Sequence, residues 1–392
     1  MQPGRTGLSR DGTRVGKIKM TEKLTVDHVT GKQGVEEFVR FAWKIYEGDP
    51  YWVPPVIKEQ VHMFSPRYPF FDHGEIDLFI ARKGSDPVGR VAGILDRSYV
   101  EYAQEEAVFF GFFECVDDTA VAQALIDDVR AWGKARGMKT IRGPFNPSTN
   151  DECGLLVDGF DMAPVLMMPY NPRYYPDLMT ACGLAKCRDL YSYLIEPQAI
   201  PAKLEELVDR IHKRLPDLTV RPVRLKKLDQ ELQIVRDIYN NAWRDNWGFV
   251  PMTEKEIDFL AARLKPLVVE DLVLFAEIKG EPVAFIASFP DYNQVLKRLN
   301  GKVGLIGALK FLYYSKKLKE LRIMLLGVKH GHHKQGIEAL LYLETFRRGF
   351  AKGFERGEMS WILEDNMLMR RGIETLGGKI YKTYRLYEGV IS

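Results

Sequence analysis

Apolar runs of strand length alternate along the chain with longer segments whose apolar residues recur at helical spacing. This order predicts an α/β fold with mixed sheets. It is clearest where a strand over Leu321–Val328 is followed by a basic turn, His330–Gln335, and by a helix that begins at Gly336. Such a junction leaves peptide N–H groups at the positive end of a helix, which suits a phosphate or pyrophosphate.

The same order of elements occurs twice, which indicates an internal duplication. Leu24–Val26 recurs as Leu218–Val220, and further short matches follow in chain order at nearly the same separation. These matches are Asp77-Leu78 with Asp271-Leu272, Pro87-Val88 with Pro282-Val283, Asp96 with Asp291, Asn171 with Asn366, and Gly183 with Gly378. The alternative is chance agreement between two segments rich in strands.

Each half is predicted to contain a strand, one or two helices, a hairpin, a long strand, an amphipathic helix, a strand, a helix and a final strand. The segments predicted in the first half are Leu24–Val29, Val35–Tyr46, Leu78–Arg82, Val88–Leu95, Ala107–Cys115, Ala120–Arg136 and Thr140–Arg142. Those predicted in the second half are Leu218–Val223, Leu232–Trp243, Val273–Glu277, Val283–Phe289, Leu321–Val328, Ile337–Lys352 and Met359–Leu363. The predicted domains are 21–197 and 198–392, separated by a polar link with flanking prolines, after a disordered leader over 1–20.

Composition narrows the class of protein. The 46% hydrophobic and 28% charged residues are typical of a globular protein, and the formal net charge of +3 is too small to indicate a nucleic-acid partner. The four cysteines are scattered, and the histidines have no Cys or carboxylate partners at the spacing of metal ligands. We therefore expect no metal site. Residues 1–20 lack the apolar core of a signal peptide, so we expect a cytoplasmic protein.

On these residues the chain resembles the GNAT superfamily of acyl-CoA-dependent N-acyltransferases, whose element order matches both halves. The superfamily's pyrophosphate motif, Arg/Gln-x-x-Gly-x-Gly/Ala, corresponds to residues 333–338. Gly336 matches, whereas His333 replaces Arg or Gln and Glu338 replaces a small residue. The resemblance implies two tandem domains, each a mixed, mostly antiparallel sheet flanked by helices, with acetyl-CoA or a longer acyl-CoA as co-substrate.

The resemblance also implies which residues contact the acyl donor. In the superfamily, a gap between the fourth and fifth strands admits the pantetheine arm, and a strand N–H that polarises the thioester is worth roughly 3–4 kcal/mol of barrier. The implied set is Leu326, Gly327, Val328, His333, Lys334, Gln335, Gly336, Ile337 and Asn366. The first half has Asp117 and Asp118 where its helix begins, and no glycine, so a single donor site is expected, in the second half.

An amine nucleophile must lose a proton, so a catalytic base is needed. Asp151 and Glu152 lie in a polar insertion of the first half, before a methionine-rich apolar segment that ends at Met168, and Glu364 follows a predicted strand. Asp151 or Glu152 would serve as the base or as the anchor for the ammonium of an amine with an apolar tail. The alternative is a turn with hydrogen bonds from side chain to backbone.

The position at which the superfamily often has a tyrosine acid for the leaving thiolate is Ile373 in this chain. Tyr384, on the predicted final strand, is the candidate replacement, along with Tyr381. The alternative is that both are ordinary strand aromatics.

Residues 294–319 form a second insertion, which contains seven Lys or Arg residues, no acid and many apolar residues. This composition predicts peripheral contact with an anionic membrane, or a cover for a long acyl chain. The alternative is a helical hairpin that packs on the core and exposes its lysines.

Together these features predict an acyl-CoA-dependent N-acyltransferase that acts on an amine, with a large or lipid-like acceptor such as a sphingoid base or amino lipid. Two alternatives remain open at this stage. One is an N-acetyltransferase for a small amine or amino acid, and the other is a non-catalytic binding or regulatory protein.

Overall fold

The computed structural model describes residues 23–196, 199–200 and 202–392, and within them thirteen strands pair into one sheet that runs through both halves. The first-half strands are β1 Leu24–His28, β2 Gly74–Lys83, β3 Asp86–Asp96, β4 Ala107–Cys115, β5 Thr140–Gly143, β6 Phe145–Asn146, β7 Glu152–Cys153, β8 Leu155–Asp158 and β9 Ala185–Ile195. The second-half strands are β10 Leu218–Pro222, β11 Val273–Ile278, β12 Glu281–Pro290, β13 Glu320–Val328, β14 Arg356–Leu363 and β15 Lys379–Val390. The strand order is β1-β2-β3-β4-β5-β15-β9-β14-β13-β12-β11-β10, with β8 against β15, while β6 and β7 form a separate pair.

Helices cover both faces of this sheet, as predicted. Those of the first half are α1 Gly31–Arg40, α2 Ala42–Ile45, α3 Ile57–Met63, α4 Arg97–Ala103, α5 Thr119–Lys134 and α6 Tyr175–Ala181. Those of the second half are α7 Ala202–Arg214, α8 Leu228–Ala242, α9 Glu254–Leu264, α10 Asn293–Leu299, α11 Leu305–Ser315, α12 Ile337–Ala351 and α13 Met367–Thr375. Among the residues described, no helix has both the length and the apolar character needed to cross a membrane.

The predicted duplication is confirmed element by element. Each half has an edge strand, a hairpin, a long strand, a covering helix and a fifth strand that runs parallel to the long one. Local chemistry sets several boundaries: Gly84 turns the first hairpin with φ +60°, and the Asp118 carboxylate accepts the N–H of Ala120 to cap α5. Helix α9 was not predicted, although Thr253 and Glu256 form a capping box at its start.

The two halves exchange their final strands. β9, from the first half, pairs with the fifth strand of the second half, β14, and β15 pairs with β5. The exchanged strands also pair with each other, as at Tyr384 and Leu190. A single ladder of hydrogen bonds therefore joins the halves at the centre of the sheet. The predicted leader and the boundary between 197 and 198 fall on residues outside those described.

Candidate active site

A gap opens between the parallel strands β13 and β14. They are paired only over Glu320–Ile323 and Arg356–Met359. Beyond these residues β13 stays with β12, and β14 stays with β9, so the two strands diverge. A bulge at Met324 accompanies the divergence, because Ile323 and Leu325 pair with adjacent residues of β12. The predicted gap between the fourth and fifth strands of the second half is therefore present.

Two peptide groups of β13 face this gap. The N–H of Lys329 donates to the carbonyl of Val283 on β12 at 2.9 Å. Because N–H groups alternate in direction along an antiparallel ladder, those of Leu326 and Val328 point to the opposite side, toward β14. The Val328 carbonyl on the same side accepts the Nε2–H of His333 at 2.7 Å. The gap thus has backbone donors along one edge.

The basic turn ends in a row of free peptide N–H groups. Gly336 has φ +83° and precedes α12, and a Cβ at this position would lie 2.6 Å from Cδ1 of Ile211. Among the described residues, no acceptor is hydrogen-bonded to the N–H groups of residues 334–338. Five consecutive donors at the start of a 15-residue helix form a cradle for an anion.

Glu338 lies within this cradle and is half-buried, on the helix face that also carries Tyr342. Burial and the Glu338 carboxylate both raise the pKa of Tyr342. The histidines of the turn pack on each other, with the rings of His330 and His333 4.8 Å apart. In the part of the chain that the structure describes, no group of three or more His, Cys, Asp or Glu side chains is placed to hold a metal ion.

A cavity of about 350 Å³ extends from the gap into the space between the two halves. Leu326 and Leu363 line it at the gap, and Asp151 and Glu152 of the first half line its opposite wall. The wall between them is mainly apolar and comes from α8, α9 and the loop that joins these helices. This wall includes Leu232, Val235, Tyr239, Trp247, Leu260 and Leu264. The cavity, called the chamber below, connects the gap to two carboxyl groups.

Asp151 and Glu152 differ in their partners. Asp151 accepts the hydroxyl of Ser148 at 2.7 Å, and burial raises the pKa of Asp151 to about 6. Glu152 has no hydrogen bond or ion pair to its carboxylate among the described residues, and burial raises its pKa, partly offset by Arg263 and Arg322. A half-buried carboxylate with free oxygens and a raised pKa is suited to accept a proton.

The other two candidate catalytic residues lie elsewhere. Glu364 follows β14, where its carboxylate accepts Lys186 Nζ at 2.6 Å and the N–H of Asp189 at 3.2 Å. Tyr384 is fully buried in the core, and its hydroxyl has no partner within the described residues. Burial, with Glu358 nearby, raises the pKa of Tyr384 well above its usual range. Neither residue lines the chamber.

The residues implied for acyl-CoA divide into two groups. Leu326 and Asn366 line the chamber, and Asn366 also caps α13 by accepting the N–H of Met369 at 3.2 Å. The remaining members lie outside the chamber wall, along β13, in the basic turn and at the start of α12, and are Gly327, Val328, His333, Lys334, Gln335, Gly336 and Ile337. The structure therefore brings the two groups together at the ends of one path, from the turn through the gap to the chamber.

Sequence reasoning missed a buried ion pair beside the chamber. Arg322 of β13 and Glu358 of β14 approach to 3.8 Å, each about 2–3% exposed. Arg322 also donates to the carbonyls of Leu166 and Met167, which ties β13 to the methionine-rich segment. The available signal was a pair of oppositely charged residues near the start of each strand, Glu320 and Arg322 in β13 and Arg356 and Glu358 in β14.

The first half closes the corresponding gap with its own chain. β4 and β5 are paired over Ala107–Phe109 and Thr140–Arg142, and then separate. Phe145 fills the space beyond, because a Cβ on Gly111 would lie 1.7 Å from its carbonyl oxygen. The first half therefore lacks the open path of the second.

Solved structures share this architecture. A tandem GNAT protein from the clavulanic acid biosynthesis pathway aligns with a TM-score of 0.55 and 11% identity, over 94% of this chain and 99% of that one. A GCN5-related N-acetyltransferase from Sphaerobacter thermophilus aligns with a TM-score of 0.50 and 14% identity, over 94% and 96%. The chain therefore has the fold of a tandem GNAT protein.

Two relatives give the family. Protein YghO of Escherichia coli K12 is 35% identical over 366 residues, which cover 91% of this chain and 93% of YghO. The bacterial ceramide synthase of Caulobacter vibrioides is 35% identical over 375 residues, 93% of this chain and 97% of the relative. The chain belongs to the family of these two proteins. No protein-family model matches it.

Proposed function

We propose that the protein transfers a long acyl group from acyl-CoA to the amine of a long-chain acceptor, of which a sphingoid base is the leading candidate. The observation that carries this proposal is the chamber, which connects the gap beside Leu326 to the free carboxylate of Glu152 through apolar walls. The relative named as a bacterial ceramide synthase supports the same chemistry.

The acyl donor would bind at the second half. The cradle of N–H groups at residues 334–338 fits a pyrophosphate, because no acceptor among the described residues is hydrogen-bonded to its donors and Gly336 adopts the positive φ that begins the helix. The pantetheine arm would follow the gap, where Leu326 and Val328 present their peptide N–H groups. The thioester would then lie at the chamber, which Leu326 lines.

Glu152 would take the proton from the attacking amine. Its pKa is raised by burial, so its carboxylate is a stronger base than that of an exposed glutamate. The nitrogen then bonds to the thioester carbonyl carbon, a β13 N–H stabilises the negative charge that develops on the carbonyl oxygen, and the CoA thiolate leaves. The CoA thiolate can leave without an acid, since it is a weak base, so this scheme requires nothing of Tyr384.

The walls of the chamber favour alkyl chains over small polar acceptors. Apolar side chains from α8 and α9 form much of its wall, and Asp151 and Glu152 place two carboxyl groups at one part of it. An amine head near the carboxyl groups, with hydrocarbon along the apolar walls, matches this distribution. A small amine or amino acid would leave most of the apolar surface without contacts.

The test is an acyl-transfer assay with purified protein, in which mass spectrometry detects the amide. We expect sphinganine with palmitoyl-CoA to give N-palmitoyl sphinganine faster than acetyl-CoA gives the acetamide. Lysine and spermidine serve as polar acceptors. Acetylation of a polar amine, with no transfer of the long chain, would contradict the proposal and favour the small-amine alternative. Failure of both donors to react with or bind the protein would favour a non-catalytic role.

A further inference from the structure

We propose that α11 docks on the surface of an anionic lipid bilayer. This helix belongs to the hairpin formed by α10 and α11, and one face of it presents large apolar side chains to solvent. Their exposed fractions are Leu305 88%, Ile306 72%, Leu309 65%, Leu312 63% and Tyr313 57%. Apolar residues at i, i+4 and i+7 form one continuous stripe, and an unpartnered stripe of this size marks an interaction surface.

The charges around the stripe select an anionic bilayer. The hairpin region, 294–319, has seven Lys or Arg residues and no Asp or Glu. Lys302, Lys310 and Lys316 are exposed, and none has an ion-pair partner among the described residues. Cations beside an exposed apolar face are the signature of a helix that lies in the interface of a bilayer containing anionic lipids.

The opposite face of α11 packs on the protein and fixes the orientation of the stripe. Phe311 stacks on Tyr292 with the ring centres 5.3 Å apart, and Gly307 is buried. The hairpin is tied to the first half, where Trp43 Nε1 donates to Asn300 at 2.9 Å. The apolar side chains therefore remain exposed although the hairpin itself is packed on both halves.

The docking surface lies next to the chamber. The Tyr292 hydroxyl donates to the carbonyl of Leu267 at 3.3 Å, in the turn that follows α9. Leu264 and Val268, on either side of that carbonyl, line the chamber. Docking through α11 would thus bring one end of the chamber close to the bilayer, where long-chain amines and acyl groups partition. The docking itself does not depend on acyl transfer, so it is tested separately.

The experiment is co-sedimentation of the full chain with phosphatidylcholine vesicles, with and without phosphatidylglycerol. We expect binding to the anionic vesicles that weakens as the salt concentration rises. Replacing Ile306 and Leu309 by Glu together should reduce the partition coefficient at least about tenfold. Val390→Glu changes a residue that is 77% exposed on β15, and this matched control should bind as the wild type does.

Thermal melts check that each variant folds. A second variant, with Lys310→Glu and Lys316→Glu together, leaves the apolar stripe intact. We expect this charge variant to bind anionic vesicles at least about threefold more weakly. Equal binding of wild type and the Ile306/Leu309 variant, or no binding by the wild type, would overturn the proposal. Sedimentation velocity tests self-association. A concentration-dependent dimer of the wild type that the Ile306/Leu309 variant does not form would assign the stripe to self-association instead.

Discussion

The side-chain carbonyl of Asn146 accepts the peptide N–H of Phe112 at 2.7 Å. Phe112 lies three residues after the last parallel pair of β4, the same place that Leu326 has in β13. The first half therefore satisfies, with its own side chain, a peptide donor that the second half directs into an open gap. This relationship explains how two copies of one fold leave a single open gap, which is the proposed path for an acyl donor.

We therefore expect one acyl-CoA molecule to bind per chain, measured by isothermal titration calorimetry. Asn146→Ala removes the acceptor of a buried N–H and should lower the free energy of unfolding by about 1–3 kcal/mol, measured by urea denaturation. Because Phe145 still fills the first gap, the variant should keep the stoichiometry of one. Two equivalent sites in the wild type would contradict this account.

Gly336 and Gly331 provide a matched pair for the anion cradle. Gly336→Ala places a side chain at φ +83° and 2.6 Å from Ile211, whereas a Cβ on Gly331 has nothing within 4 Å. Left-handed strain costs roughly 1–2 kcal/mol, so Gly336→Ala should weaken acyl-CoA binding about tenfold or more. Gly331→Ala should bind as the wild type does. Equal dissociation constants for the two variants would place the pyrophosphate elsewhere.

Glu152→Gln should lower kcat by about 10²–10⁴-fold with little change in acyl-CoA affinity, because the base is lost and the donor site is untouched. Burial raises the pKa of Glu152, so in the wild type kcat/KM should fall with decreasing pH at a pKa above that of an exposed glutamate. Glu364→Gln is the matched comparison and should retain activity. The opposite ranking of the two variants would assign the base to Glu364.

Ala261 and Ala262 are adjacent on α9, but only Ala261 lines the chamber, and Ala262 is exposed. Ala261→Phe should reduce kcat/KM for palmitoyl-CoA with sphinganine by about tenfold or more, since the ring occupies space for an alkyl chain. Ala262→Phe should have little effect. Similar kinetics for both variants would show that the alkyl chains bind outside the chamber.

His73 joins the first half to α9 in the second. Its ring nitrogens lie 3.1 Å from Asp96 and 3.0 Å from Glu256. Burial alone would lower the pKa of His73, but the bonds to these carboxylates outweigh it and raise the pKa to about 10. Because the folded pKa exceeds the unfolded value of about 6.5, this contribution to stability is complete below about pH 6.5 and is lost as the pH rises through about 10.

His73→Gln should therefore destabilise the protein more at about pH 6 than at about pH 10, measured by urea denaturation at both values. Exposed His28, which lies 3.0 Å from Asp77, provides the control His28→Gln. A destabilisation by His73→Gln that does not change with pH would mean that the ring acts through packing alone.

Much of the fold could be predicted from the sequence, because buried strands and amphipathic helices have distinct patterns. The predicted and observed bounds of β4, Ala107–Cys115, are identical, since a mainly apolar run begins directly after Glu106 and ends shortly before Asp117 and Asp118. The exchange of β9 and β15 could not be predicted. The final strand of each half is covered on both faces. Its pattern of apolar residues is therefore the same whether it pairs with the fifth strand of its own half or with that of the other half.

The candidate site was predictable in its parts but not in its assembly. The turn before Gly336 could be located because glycine at a helix start after a strand is a local feature. Glu152 and Glu364 could not be distinguished by sequence, because their difference depends on Lys186, which is distant in the chain and close to Glu364 in space. The exposed stripe of α11 was hidden for a related reason: its sequence does not specify which helix face packs on Tyr292.

The most direct test of the central claim is a crystal structure with a non-hydrolysable long-chain acyl-CoA analogue. The account predicts its pyrophosphate at the N–H groups of residues 334–338, its pantetheine arm between β13 and β14, and its acyl chain in the chamber, with the reacting carbon on the side of Glu152. An analogue bound between β4 and β5, or an acyl chain outside the chamber, would contradict the account.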